Sequence, residues 1–274
     1  MAYAFPGAGA LDYFPCRYGM SRLLFRGPRR VLDRPYVAVL GGTETYGKYI
    51  PRPYPALVEA ETGLRMVNLG CINAGLDVYL NEPAVTEIAA NADVAVLQLV
   101  GAHNLTNRYY TVHPRRNDRF LAASPLLKSM FRDVEFTEFH FTRHMLTTLQ
   151  AASAERFEVV AEDLRAAWVV RMKQLLARLP TRVVLLWMSG QPPSEPATTP
   201  HLSDPPLVDA QMIAAIKPLA AAYVEAISSP TAKTRGMEGM AFGPLDAPAA
   251  SELPGPAVHE EVALKLAPVL EGLL

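Results

Sequence analysis

Apolar positions follow two periods along this chain. Three runs are nearly continuous, rich in β-branched residues and closed by glycine: YVAVLGG at 36–42, ADVAVLQLVG at 92–101 and TRVVLLWMSG at 181–190. Continuous runs of this kind are expected of parallel strands, because both faces of the sheet are covered and neither side of the pleat meets water. A fourth run, RMVNLG at 65–70, is shorter and alternates. Between the runs the period lengthens to three or four residues, over 53–62, 82–91 and 154–179. In the last of these Phe157, Val160, Leu164, Trp168, Met172 and Leu175 make one apolar face, and Pro180 ends it. The C-terminal stretch, PGPAVHEEVALKLAPVLEGLL, opens with turn residues and continues as a helix with Val262, Leu266 and Val269 on its face. Strand and helix alternate throughout, which predicts an α/β protein with a doubly wound parallel sheet.

Two segments break the rhythm. Residues 108–150 read as a long, helical insertion holding HPRRNDR and EFHFTRH, and 191–207 are rich in Pro, Ser and Thr and read as loop. Residues 1–34 form an N-terminal extension with aromatics and a basic cluster. Its Arg22, Arg26, Arg29 and Arg30 suit either an anion or, more commonly for such a run, a solvated face. The remainder, 35–274, is expected to be a single domain, and no repeat of fixed period is visible.

Composition narrows the partners. Of 274 residues half are hydrophobic and 19% are charged, enough apolar surface for one large core without staples. A net charge of −1 supplies no global basic field, so nucleic acid is not expected as a partner. Cys16 and Cys71 form no CxxC pair, which argues against a cysteine zinc site and fits a reducing compartment. The N-terminus does not read as a signal peptide, and no window approaches the ~18–20 apolar residues of a membrane span. The expected location is the cytoplasm. No metal or cofactor is called for, and oligomeric state is left open.

Ligands of open α/β sheets bind beyond the carboxyl ends of the strands. Those ends carry GGTETYG, NLGCINAG, GAHNLTNR and SGQPP, four loops expected to share one crevice. Thr43, just past Gly41 and Gly42, suits a nucleophile, a ligand contact or a helix N-cap. Glycines in NLGCINAG can expose backbone N–H groups to a developing oxyanion, or simply make a turn. His103 and Asn104 follow a buried strand as a possible base and amide donor, or as ordinary loop residues. His259 falls in the first turn of the C-terminal helix, where a histidine can reach back over strand tips.

Together these blocks resemble the SGNH (GDSL-type) hydrolase superfamily, over about residues 35–107 and 181–274. Gly41-Gly42-Thr43-Glu44-Thr45-Tyr46-Gly47 keeps the strand, first glycine, Thr-Tyr and final glycine of the family's opening block. It has Gly42 for the Asp and Thr43 for the nucleophilic Ser. NLGCINAG matches the second block, with Gly75 as oxyanion donor. Gly101-Ala102-His103-Asn104 matches the third, with His103 or Asn104 as the oxyanion residue. His259 matches the terminal histidine, but Pro256 stands where the family has the triad acid, leaving Asp246, Glu252 or Glu260 as substitutes.

The resemblance implies a flavodoxin-like three-layer α/β/α sandwich and an ester hydrolase or O-acyltransferase acting on an acylated, possibly anionic, carbohydrate. Thr43 would attack and His259 would move the proton, while the amides of Thr43 and Gly75 with Asn104 or His103 hold the oxyanion. Thr45, Asn73, His113, Arg115, Arg116 and Arg119 are the expected substrate contacts. The altered Ser and missing Asp motivate an alternative: an inactive SGNH-like protein binding a glycan or protein partner in the same crevice. A transferase using sulfated or phosphorylated donors is a third reading, weakened by the lack of a GxxxxGK[ST] loop.

Overall fold

A computed structural model describes residues 9–33, 35–195 and 204–274. Of the loop expected at 191–207, residues 196–203 lie outside the described residues. The strands are β1 (Val37–Leu40), β2 (Met66–Asn68), β3 (Val94–Gln98), β4 (Tyr110–His113), β5 (Arg116–Ala123), β6 (Arg182–Ser189) and β7 (Ala222–Ile227). The helices are α1 (Thr43–Tyr46), α2 (Tyr54–Thr62), α3 (Leu76–Leu80), α4 (Pro83–Ala90), α5 (Pro125–Met130) and α6 (Thr142–Ala152). They continue with α7 (Ala154–Ala177), α8 (Ala210–Ile216), α9 (Pro230–Arg235), α10 (Ala247–Ser251) and α11 (Pro256–Leu273).

Five strands make one parallel sheet in the order β2-β1-β3-β6-β7. Counting only these strands, that is the flavodoxin-like order 2-1-3-4-5, whose winding reverses between β1 and β3 and so opens a crevice at their carboxyl ends. The strand runs are apolar on both faces for a visible reason. Ala38, Leu40, Ala95, Leu97, Val183 and Leu185 enter one core with α3, α4, α7 and α8. Val37, Val39, Val94, Val96, Val184 and Leu186 enter the other with α2, α9 and α11. The result is a three-layer α/β/α sandwich. Trp168 of α7, fully buried, donates its indole N–H to Val100 O at 2.8 Å and ties that layer to the exit of β3.

Three features differ from the sequence pattern. The insertion is not purely helical: it opens with the antiparallel hairpin β4-β5, whose register shifts twice, before α5 and α6. Buried positions in both strands are interrupted by exposed or half-buried ones, and β4 has only four residues, so no apolar run marks them. The edge strand β7 was also hidden, because AYVEAI is half-exposed and alternates with alanine and a charge. The N-terminal segment, in turn, is part of the core: Tyr18, Leu23 and Phe25 are buried, and Cys16 pairs with Phe25 as an isolated bridge. Of its arginines, Arg30 grips Glu59 through 2.8 Å contacts and Arg26 binds backbone carbonyls, so these two have internal partners.

Candidate functional site

The crevice begins with a single helical turn. Gly42 is the N-cap of α1 and Thr43 its first residue, so Thr43 is not the cap. Gly47 closes the turn at φ 74°, a left-handed conformation that glycine adopts without a Cβ clash. Arg26 then caps the far end, donating to Gly47 O at 2.6 Å and to Pro51 O at 2.9 Å. Gln98 at the tip of β3 holds the near end. Its Oε1 accepts from the N–H of Gly42 at 3.0 Å and from the hydroxyl of Thr45 at 2.5 Å, while its Nε2 donates to Glu44 Oε2 at 2.9 Å. Gln98 was the one amide in an apolar strand run, a signal that sequence reasoning passed over. Thr45, expected at the substrate, is fully buried instead: its hydroxyl lies between Gln98 and the Tyr54 hydroxyl, 2.8 Å away.

Thr43 faces the second loop. Its hydroxyl accepts from the Asn73 N–H at 2.9 Å and donates to Asn73 Oδ1 at 3.2 Å, and the residue is 7% exposed. Asn73, in the left-handed region at φ 55°, donates its Nδ2 onward to Asp118 Oδ2 at 3.1 Å. Gly75 approaches the third loop so closely that a Cβ there would lie 1.7 Å from Asn104 O. Its N–H, expected to hold an oxyanion, is already engaged: Asn117 Oδ1 accepts from Gly75 at 3.1 Å and from Val78 at 2.9 Å. Asn117 therefore reaches from the hairpin to cap α3, whose own N-cap, Gly75, has no side chain to do so. Asn104 is buried beside this pair, its Oδ1 accepting from Thr142 at 2.6 Å and its Nδ2 directed at Asn73 O at 3.4 Å. Thr43, Asn73, Gly75 and Asn104 thus converge, with Asn117, Asp118 and Thr142 of the insertion bracing them.

The histidines do not join that group through Thr43. His259 is 0% exposed, and its Nδ1 accepts from the Tyr54 N–H at 3.2 Å while the rings stack at 6.0 Å. Nδ1 as acceptor fixes the proton of the neutral ring on Nε2, which is buried without a partner among the described residues. Burial first, and the Arg26 charge second, push its pKa down to about 3. Among the described residues no carboxylate is bonded to the ring. Asp246 accepts from the Tyr49 hydroxyl at 3.0 Å, Glu260 lies 3.8 Å from Arg235, and Glu252 is exposed. The placement that the resemblance implies, His259 bonded to Thr43 with an acid behind it, is not the one present.

His103 and Asp204 line the β3-β6 side. The His103 ring folds beside Gly101 and Pro206, its Nδ1 buried without a partner among the described residues, and burial followed by the Arg143 charge pushes it down to about 3. Asp204 is exposed as a residue, yet crowding by protein atoms, with Glu44 adding and Arg143 opposing, pushes its carboxyl up to about 7. Arg115, Arg116, Arg119 and His113 lie on the hairpin: His113 Nδ1 accepts from the Arg115 N–H at 3.2 Å, Arg116 is exposed, and Arg119 lies over the Phe141 ring. Among the described residues no group of three His, Cys, Asp or Glu side chains is placed to hold a metal ion. A separate groove of about 740 Å³, lined by Tyr18, Met20, Val31, Pro83 and Ile88, lies between the N-terminal segment and α4, off the crevice.

The chain matches, over residues 1–274, the family described as a domain of unknown function, DUF6473. No curated protein matches it. Solved structures with similar folds include the lipase Lip_vut3 from a goat rumen metagenome, at 14% identity and a TM-score of 0.44, covering 85% of this chain and 96% of that one. A carbohydrate acetylesterase family member from Sinorhizobium meliloti is similar at 10% identity and a TM-score of 0.41, covering 87% and 99%. A catalytic mutant of Axe2, an acetylxylan esterase from Geobacillus stearothermophilus, is similar at 11% identity and a TM-score of 0.41, covering 87% and 94%.

Proposed function

The chain belongs to the DUF6473 family of domains of unknown function, and we propose that its strand-end crevice binds an acylated, hydroxyl-rich carbohydrate without cleaving it by a Thr43–His259 triad. The observation that carries this reading is the Tyr54 N–H on His259 Nδ1. A general base needs its Nε2 lone pair free for the hydroxyl proton, and here that nitrogen holds the hydrogen. Turning the ring would strip a buried N–H of its acceptor, at a cost of about 1–3 kcal/mol before any chemistry. Thr43 is likewise committed, as both acceptor and donor, to Asn73.

What remains suits recognition. The exposed Asn73 offers an amide, the half-buried Asp118 and Glu44 offer carboxylates, and the loops meet at the switch point between β1 and β3, a mixture that matches sugar hydroxyls able to donate and accept at once. The first test is p-nitrophenyl acetate hydrolysis by wild type, Thr43→Ala and His259→Ala, with equal rates expected. A loss of about 100-fold or more in both variants would overturn the reading.

That outcome would instead favour a second reading, an SGNH-like esterase or O-acyltransferase. Its support is that Thr43 stands at the first position of α1 with the Asn104 amide held nearby through Asn73. It requires His259 to leave Tyr54 and take the other tautomer.

A further inference from the structure

The groove between the N-terminal segment and α4 has fixed walls. Ser21, at the turn of the segment, donates its hydroxyl to Glu82 Oε2 at 2.8 Å, and Glu82 is the N-cap of α4. The Tyr18 hydroxyl accepts from the Arg30 N–H at 2.9 Å, and a Cβ at Gly19 would lie 3.5 Å from the Ala84 Cβ, so the turn is seated on the helix. The space of about 740 Å³ that opens there is lined mainly by apolar groups, among them Tyr18, Leu32, Pro83 and Ile88. Two further lining residues are large, apolar and outside the core: Met20 is 93% exposed and Val31 66%. A single exposed apolar side chain is common, but two of them at one apolar groove make the kind of contiguous patch that marks an interaction surface.

Charge selects the partner. Arg29 and Glu87 also line the groove, and both are exposed. Among the described residues neither is ion-paired, whereas the neighbouring Arg30 is taken up by Glu59. The Arg29 guanidinium lies 5.9 Å from the Tyr18 ring centroid, at the groove's own floor. One free cation and one free anion on the same apolar groove suit a simple ionic amphiphile poorly, since a fatty acid meets Glu87 and an alkylammonium meets Arg29. They suit a surface that meets itself, because a two-fold axis sets each residue of a patch against a different residue of the same patch.

We propose that this groove is the isologous interface of a homodimer, with Met20 and Val31 of each copy packed into the other's groove and Arg29 of each paired with Glu87 of the partner subunit. Exposed charges are ordinarily just solvated. Here the burial of Met20 and Val31 supplies the driving force, and the two charge pairs set the register. The groove shares no residue with the strand-end loops, so pairing through it is independent of what the crevice binds.

Sedimentation velocity over a concentration series tests the interface. Wild type is expected to pass from monomer to dimer with a Kd on the order of 10 μM. Arg29→Glu or Glu87→Arg alone sets like charges opposite one another twice, and each should weaken the dimer at least about tenfold with an unchanged melting temperature. Reciprocal pairing then dictates two recoveries: the double variant Arg29→Glu/Glu87→Arg should dimerise again, and an equimolar mixture of the two single variants should form a heterodimer. Met20→Asp, which leaves both charges in place, should weaken the dimer by a similar factor. A wild type that stays monomeric up to about 300 μM, whether its groove is empty or holds an acyl chain, would overturn the interface. So would single variants that dimerise as well as wild type, or charge reversals that show neither recovery.

Discussion

A buried histidine that accepts a backbone N–H is held in one tautomer, and that fixes how the protein responds to acid. In the folded chain His259 is pushed down to about 3, whereas an unfolded chain carries histidine near its ordinary 6.5. Between these values the unfolded state binds the extra proton, so stability rises with pH from about 3 to 6.5 and is lost as pH falls through that window. For a ring as buried as this one the full effect is on the order of 5 kcal/mol. His103 acts in the same direction, while Asp204, pushed up to about 7, acts in the opposite one, because its folded form holds the proton longer. The contribution of His259 is therefore read as a difference. Melting temperatures of wild type and His259→Gln, measured from pH 7 down to pH 4, are expected to diverge in slope, with the wild type steeper. Parallel curves would mean that the ring is not held neutral.

At the scale of elements, α3 is held by a residue 42 positions away: Asn117 of β5 caps it through Gly75 and Val78. Losing a cap usually costs about 1–2 kcal/mol, and here two buried N–H groups lose their acceptor together. Asn117→Ala should therefore lower stability by about 2–3 kcal/mol in urea unfolding, with an unchanged m-value. A cost below about 0.5 kcal/mol would mean that water replaces the amide. The same contact explains why the oxyanion role of Gly75 is legible as a motif while its N–H is bonded to Asn117 in the structure. NLGCINAG carries the right glycine, but whether its N–H is free depends on a hairpin that no apolar run announces.

At the scale of the molecule, the N-terminal segment is a structural part of the crevice. Tyr18 and Phe25 fill one core, and Arg26 holds the carbonyls at the end of α1. Deleting residues 1–34 would uncover these apolar faces and release the loop that carries Thr43. We expect that truncation to be insoluble, or to melt at least about 10 °C lower. Full retention of both the melting temperature and ligand binding would show the segment to be dispensable.

The sequence by itself determined the sandwich. Continuous β-branched runs closed by glycine can be buried on both sides only in a parallel sheet, and the helical period between them covers its two faces. It also located the crevice, since strand ends and their loops are read directly from where those runs stop. Tertiary structure decided which groups in that crevice are free. The His259 tautomer depends on the backbone of Tyr54, the hydroxyl of Thr43 on Asn73, and the N–H of Gly75 on Asn117. Each partner is distant in sequence, and hydrogen-bond saturation is a property of neighbours in space, so a motif can preserve the residues of a triad while the fold leaves them engaged elsewhere.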